Sequence, residues 1–210
     1  VVIDAGLMFP EDELLGIDVV IPDITYLLEN KEKVKGIILT HGHEDHVGAL
    51  PYVLKELNVP VYGSKLTIGI VESKLKDYDL GNIKLKTIRP RDIIKIDSLD
   101  IEFIRVSHSI PDALAIAIHT PLGIILHTGD FKLDQTPVDG QIVDFRKFAE
   151  LGEKGVLVMA SDSTNSDRPG FTMSEKVVGK TFEELFGKCE GRIIITTFAS
   201  NVHRIQQVVT

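Results

Sequence analysis

Along the 210-residue chain, apolar and polar positions change their period repeatedly, and each change marks an element. Val1-Val2-Ile3-Asp4-Ala5-Gly6 reads as a strand running into a tight turn. Leu7 to Pro22 mixes Pro10, acidic residues and Gly16, the composition of a loop, and Tyr26 to Lys33 follows as a short helix. Val34-Lys35-Gly36-Ile37-Ile38-Leu39-Thr40 is short, apolar and β-branched, as expected of a parallel strand buried on both faces. From His46 onward, Val47, Leu50, Val53, Leu54 and Leu57 fall at helical spacing. Val59 to Gly63 is a further strand, and Ser64 opens a helix running to about Lys76. Ile83 to Ile88 and Ile93 to Ile96 alternate between turn residues, which predicts antiparallel strands with one wet face.

In the second half, three strands end in a residue able to bind metal or protons. Asp100 to His108 ends in a histidine, Gly123 to Asp130 in Gly-Asp, and Gly155 to Asp162 in an aspartate; the last two read as buried. Ser163 to Gly170 is a loop dense in hydroxyls and turn formers. Thr172-Met173-Ser174-Glu175 has the form of a capping box for a helix carrying Val177, Val178, Phe182, Leu185 and Phe186. Arg192 to Phe198 is expected as another buried strand, and Ala199 to Arg204 opens a helix whose free N–H groups, with Ser200, Asn201 and Arg204, suit a phosphate. An ordinary Ser or Asn cap with an exposed Arg reads the same residues equally well.

The chemistry concentrates in Thr40-His41-Gly42-His43-Glu44-Asp45-His46, between a buried strand and a helix, the edge at which open α/β sheets place their sites. His41 and His43 are two apart, so an extended backbone sends both side chains to one side, while Asp45 and His46 follow at the turn into the helix. Imidazole nitrogen and carboxylate oxygen are ligands of zinc and manganese, and a mixed N/O set leaving a position open is the catalytic arrangement. The competing interpretation is a polar helix start, with Asp45 as a cap and solvated histidines.

Composition narrows the setting. With 43% apolar residues the chain supplies a sizeable core, no apolar run reaches the length of a membrane span, and the single cysteine, Cys189, excludes an internal disulfide framework. These features suggest a soluble, cytoplasmic protein; Cys189 itself reads as a half-buried helix residue near Leu185 and Phe186. The net charge of −8 argues against a simple nucleic-acid binder, although two divalent ions would add about four positive charges at the site. The start inside Val1-Val2-Ile3 without methionine, and the end after Ile205, Val208 and Val209 in mid-pattern, suggest a piece of a longer chain.

His41-x-His43-x-Asp45-His46 resembles the signature of the metallo-β-lactamase superfamily, and Leu39 to His46 resembles its RNA-processing β-CASP branch, bacterial ribonuclease J in particular. Ser107-His108-Ser109 and Thr128-Gly129-Asp130-Phe131-Lys132 resemble later motifs of the same family, and Asp162-Ser163-Thr164 resembles the acid-Ser-Thr element that sets β-CASP enzymes apart. Ala199 to Arg204 is similar to the family's wording at the entry to the β-CASP domain.

The resemblance implies an α/β fold, the N-terminal portion of an αβ/βα sandwich over residues 1–180 lacking its first strands and C-terminal part, with an inserted β-CASP domain beginning at 181–210. It implies His41, His43 and His108 around a first ion, Asp45 and His46 around a second, and Asp130 bridging them. The ions would be two divalent metals, zinc foremost and manganese the other candidate. Asp4 would orient the ligand loop, and Asp45 and Asp162 would serve catalysis. Ser163, Thr164, Ser200, Asn201, His203 and Arg204 would contact RNA. The implied activity is ribonuclease, exonuclease or endonuclease, with general acid and seventh ligand both histidines beyond Thr210. The implied assembly is a homodimer or homotetramer, or a complex with a paralogue, away from membranes. His127 reads as packed or supporting, and His119 as a solvated strand end. The alternatives are a thioester or lactam hydrolase on the same fold, and a metal-free RNA-binding paralogue.

Overall fold

In the computed structural model, all 210 residues of which are described, the strands form two sheets. The first is parallel, in the order β1 (Val2–Ile3), β2 (Ile37–Ile38), β3 (Val61–Gly63), β4 (Leu85–Thr87). The second runs β5 (Ile93–Ile96), β6 (Leu99–Arg105), β7 (Leu114–Thr120), β8 (Gly123–His127), β9 (Val156–Ala160). Its pairs are antiparallel except β8 with β9, which are parallel because helix α5 (Phe145–Lys154), among the residues joining them, returns the chain to the same edge. The remaining helices need numbering only in part: α1 is Thr25–Glu29, α2 Glu44–Val47, α3 Leu50–Glu56 and α4 Lys65–Leu75, with α6 at Lys176–Phe186 and α7 at Val202–Val209.

Strand alternation sorts the core into layers. Ile37, Leu39 and Val61 turn toward the helices, packing with Leu50, Val53, Leu54 and Val71, whereas Ile38 and Tyr62 turn toward the second sheet and meet Ile101, Phe103, Leu114 and Ile116. On the far side of the second sheet, Ile104, Ala115, Ala117, Ile124 and Leu126 meet Leu151, with Phe148 packed against them. Helix, sheet, sheet and helix thus stack as the α/β sandwich expected from the sequence. A fully buried Leu or Ile contributes about 1.5–3 kcal/mol relative to exposure, so docking, rather than propensity, sustains a helix as short as the seven-residue α3.

Several expectations need correction. The helix read from His46 starts at Glu44 and breaks after Val47, because the Ala49 N–H leaves the helical ladder for the Ala5 carbonyl at 2.8 Å. The segment β4 joins β3 in parallel rather than forming an antiparallel pair. Strand β9 is an exposed edge, with Met159 61% accessible, since α5 packs over β7 and β8 and no strand lies beyond β9. Arg192 to Phe198 forms no ladder and leaves Phe198 84% exposed. The capping box does not close: α6 starts at Lys176 with no side-chain cap, and the Glu175 N–H donates to Asp134 Oδ2 instead of to Thr172. Cys189 lies past the helix and is exposed.

His119 is not simply solvated. Its Nε2 stands 3.1 Å from Oε2 of Glu102, a buried carboxylate on the α5 side of the second sheet that also pairs with Lys147. Burial raises the Glu102 pKa, but the hydrogen bonds from Lys147 and His119 outweigh it, and the net shift is downward. A carboxylate with a lowered folded pKa stabilises the fold above its unfolded value, near 4.5, and loses that contribution as pH falls through the folded value. The Glu102→Gln variant is therefore expected to unfold at lower urea than wild type at pH 7, with the gap narrowing as pH drops below 4.5. A gap independent of pH would refute this assignment.

Candidate metal centre

Every strand that ends at one edge of the sandwich delivers a polar group there. Asp4 follows β1, His41 to His46 follow β2, His108 follows β6, Asp130 follows β8 and Asp162 follows β9. The cluster is stitched across the sheets by the Leu114 N–H to Thr40 carbonyl bond at 2.9 Å. Gly129 lets the Asp130 turn form: its φ is +58°, and a Cβ there would lie 2.8 Å from the Leu114 carbonyl oxygen.

The side chains converge in two groups. His41, His43 and His108 form one and His41, His46 and Asp130 the other, with ligand atoms within 4.8 Å of one another in each. His43 Nδ1 lies 3.0 Å from His41 Nε2 and 3.2 Å from His108 Nε2. Two nitrogens bound tetrahedrally to one zinc at 2.0–2.1 Å would stand about 3.4 Å apart, so the donor set fits an ion with little rearrangement. Asp130 turns one oxygen to each group: Oδ2 is 3.7 Å from His108 Nε2 and 4.0 Å from His41 Nε2, and Oδ1 is 3.4 Å from His46 Nε2. Asp45 stands at the rim, 70% exposed, with Oδ2 3.7 Å from His46 Nε2.

The sequence profile described as the metallo-beta-lactamase superfamily matches residues 1–148. The chain belongs to that superfamily. Among curated relatives, ribonuclease J of Synechocystis is 48% identical over 211 residues, covering 99% of this chain and 33% of the relative. Ribonuclease J of Thermus thermophilus is 46% identical over 216 residues, 99% of this chain and 38% of the relative. Ribonuclease J 2 of Staphylococcus aureus is 49% identical over 207 residues, 98% and 37%. The chain thus spans 33–38% of the length of these relatives, and its likeness to ribonuclease J extends over nearly all of it. The fold is shared with a crystallised protein of unknown function from Enterococcus faecalis V583, at TM-score 0.69 and 20% identity, over 99% of this chain and 57% of that one. The superfamily fold and the histidine-aspartate cluster together support divalent metal binding.

Within this superfamily site, Asp4 organises the ligand loop. Its φ of +59° turns the carboxylate back so that Oδ1 accepts from the Thr40 N–H at 2.8 Å and Oδ2 from the Thr40 hydroxyl at 2.8 Å and His46 Nδ1 at 2.7 Å. With Nδ1 committed to Asp4, His46 can offer Nε2 to an ion only by giving up the proton it carries there. Thr40, buried and given no role by sequence reasoning, does the same for His41: its Oγ1, already donating to Asp4, stands 3.0 Å from His41 Nδ1 and can accept a hydrogen bond from Nδ1–H. Its signal was position alone, the last strand residue before the histidines. Loss of such supporting contacts typically costs 10–100-fold in metal affinity, so Asp4→Ala is expected to weaken zinc binding about 10–100-fold in a competition titration. Unchanged affinity would remove Asp4 from the account.

The electrostatics divide the cluster. Burial, then repulsion from His46 and His108, lowers His41 to about 2. Burial, then His43, lowers His108 to about 4, and burial also lowers His43. All three are neutral near pH 7, the form that ligates. His46 is the opposite case: burial works against its charge, but hydrogen bonds to Asp130 and Asp4 raise it to about 10. The hydrogen bond from His46 lowers Asp130 to about 2.

The other predicted residues lie around this centre without joining it. Asp162 Oδ2 accepts from the Phe131 N–H at 3.2 Å and Oδ1 from the Thr164 N–H at 2.8 Å, so its carboxylate holds the loop that carries Asp130. Ser163 and Thr164 are exposed beside it. Asn201 Oδ1 accepts from the Arg204 N–H and caps α7, Arg204 pairs with Glu175, and half-buried Ser200 precedes the cap. His203 is buried and lines, with His108 and Lys132, a cleft of about 350 Å³. His127 supports the Asp130 turn: its Nδ1 accepts from the Gly129 N–H at 3.1 Å.

Proposed function

We propose that this chain is the ion-binding portion of a ribonuclease that hydrolyses RNA phosphodiester bonds at a two-ion centre. The observation that carries the reading is Asp130, whose oxygens turn to separate histidine groups, as a bridging ligand must. In this reading His41, His43 and His108 would hold one ion and Asp45 and His46 the other, with Asp130 shared between them and zinc or manganese as the metal. When bound, two divalent ions supply an activated water and positive charge for the phosphoryl oxygens.

The chain's own groups then have distinct tasks. Asp162, whose pKa is lowered because its hydrogen bonds from Thr164 and Phe131 outweigh the opposing effect of burial, stays ionised to orient the water. Ser163, Thr164, Ser200, Asn201, His203 and Arg204 are assigned to RNA contact, with Ser163 and Thr164 the exposed ones among them. The chain spans 33–38% of its relatives' length, and in this reading the remainder supplies the histidines that protonate the leaving group and complete the ligand set, so these 210 residues alone are expected not to cleave RNA. Residues 1–180 belong to the superfamily domain and 181–210 begin the β-CASP insertion. The longer protein works on RNA in the cytoplasm as a homodimer, a homotetramer or an assembly with a paralogue. No helix here is long and apolar enough to cross a membrane.

The test uses the chain extended to its relatives' length, with manganese or zinc, on 5′-labelled RNA carrying a monophosphate or a triphosphate. Mononucleotide released from the monophosphate form, and lost in His43→Ala, is the exonuclease outcome; internal fragments mark an endonuclease. Absence of cleavage despite bound metal would overturn the ribonuclease reading and direct attention to small esters.

A further inference from the structure

Glu175 is held by more of the molecule than the helix it precedes requires. Its Oε1 accepts from Lys132 Nζ at 2.7 Å and its Oε2 from Arg204 Nη2 at 2.9 Å. Its main chain is fixed as well: the N–H donates to Asp134 Oδ2 at 3.2 Å, and the carbonyl accepts from Gln207 Nε2 at 2.7 Å. The side chain is 18% exposed and shared by two cations, unlike an isolated surface pair, which contributes little.

The two ends of this clamp lie in different parts of the site. Lys132 is two residues beyond Asp130, and its N–H donates to the carbonyl of Ser107, which precedes His108, at 2.8 Å. Lys132 therefore sits where the loops bearing His108 and Asp130 are joined. Arg204 and Gln207 lie on α7, next to His203. His203 Nε2 is 3.9 Å from Asp139 Oδ2, beyond hydrogen-bond distance, and its side chain, 9% exposed, lines the cleft shared with His108.

We propose that Glu175 is a positioning residue for the RNA cleavage proposed above, fixing α7 and its cleft-facing His203 against the loops that carry His108 and Asp130. The inference rests on the ribonuclease reading for its substrate and on the Lys132–Glu175–Arg204 geometry for its mechanism. RNA held by α7 is presented to the ion cluster at a set distance. Glu175→Gln keeps the shape of the side chain, removes the charge shared by the two cations, and turns an amide N–H toward one of them.

The experiment compares wild type and Glu175→Gln, in the chain extended to its relatives' length, on two substrates. One is 5′-monophosphate RNA; the other is bis(p-nitrophenyl) phosphate, too small to reach both α7 and the ion cluster. For RNA, KM is expected to rise about 10-fold with kcat within about 2-fold, the pattern of lost binding common to ground and transition states. Small-diester turnover and metal content are expected to be unchanged, and hydrogen exchange of the α7 amides to quicken while that of β2 and β6 does not. Equal losses on both substrates, or none on either, would overturn the proposal. If wild type does not cleave RNA, the ribonuclease reading fails separately, and α7 exchange decides the clamp: faster exchange in Glu175→Gln keeps it, unchanged exchange removes it. Should Glu175→Gln not fold, Gln207→Leu, which breaks only the carbonyl contact, is expected to give the same KM split at smaller size, and its absence would count against the clamp.

Discussion

An Asp130→Ala protein is expected to hold at most one divalent ion per chain and, at the relatives' full length, to lose RNA cleavage almost entirely. Asp130 Oδ1 lies 3.4 Å from His46 Nε2 and Oδ2 3.7 Å from His108 Nε2, so it is the side chain through which the two histidine groups share one carboxylate. Removing one preorganised electrostatic contact at a reacting centre costs about 10²–10³ in kcat. Asp130 would organise two ions at once, so a loss of about 10³ or more is expected. The same change releases His46 from the hydrogen bond that helps to raise its pKa to about 10, and the His46 pKa followed by NMR is expected to fall. Retention of both ions with only a small drop in rate would show that the bridge lies elsewhere.

Gly6→Ala is expected to damage the site without touching a ligand. A Cβ on Gly6 would lie 1.6 Å from the Asp45 carbonyl oxygen and 2.2 Å from its carbon, so the ligand loop itself must move. That loop is tied to this turn by the Ala5 N–H to His46 carbonyl bond at 2.7 Å and the Leu7 N–H to Glu44 carbonyl bond at 3.1 Å. Forcing extra volume into a packed region costs about 1–3 kcal/mol and occasionally more, and here backbone rather than a flexible side chain opposes it. At about 3 kcal/mol, the fall in Tm for a domain of this size is about 6–12 °C. Zinc affinity should fall with it, because His46 and Asp45 are carried along. A Gly6→Ala protein with wild-type Tm and metal affinity would mean that the turn is free to slide.

The comparison of sequence with structure separates local from non-local information. The histidine-aspartate cluster was legible because its residues lie at strand ends, where a break in apolar period, a turn former and a histidine or aspartate occur within a few positions. Buried β2 and the helical spacing through Leu57 were legible for the same reason. Burial of β9 and of Arg192 to Phe198 was not, since an apolar run says nothing about whether a neighbour covers it. The parallel pairing of β4 depends on a partner more than twenty residues away. The roles of Thr40, Gly6 and Glu175 were hidden because each acts on a residue distant in sequence: Thr40 on Asp4, Gly6 on Asp45, and Glu175 on Lys132 and Arg204. His119 was misread because its partner, Glu102, lies on the neighbouring strand.

The most direct test of a two-ion centre is the metal count of the chain at its relatives' length, equilibrated with zinc or manganese, freed of loose ions and analysed by mass spectrometry beside Asp130→Ala and His43→Ala. A two-ion centre gives two ions per wild-type chain and a reduced number in each variant. One ion or none in wild type, or a count indifferent to both substitutions, would contradict it.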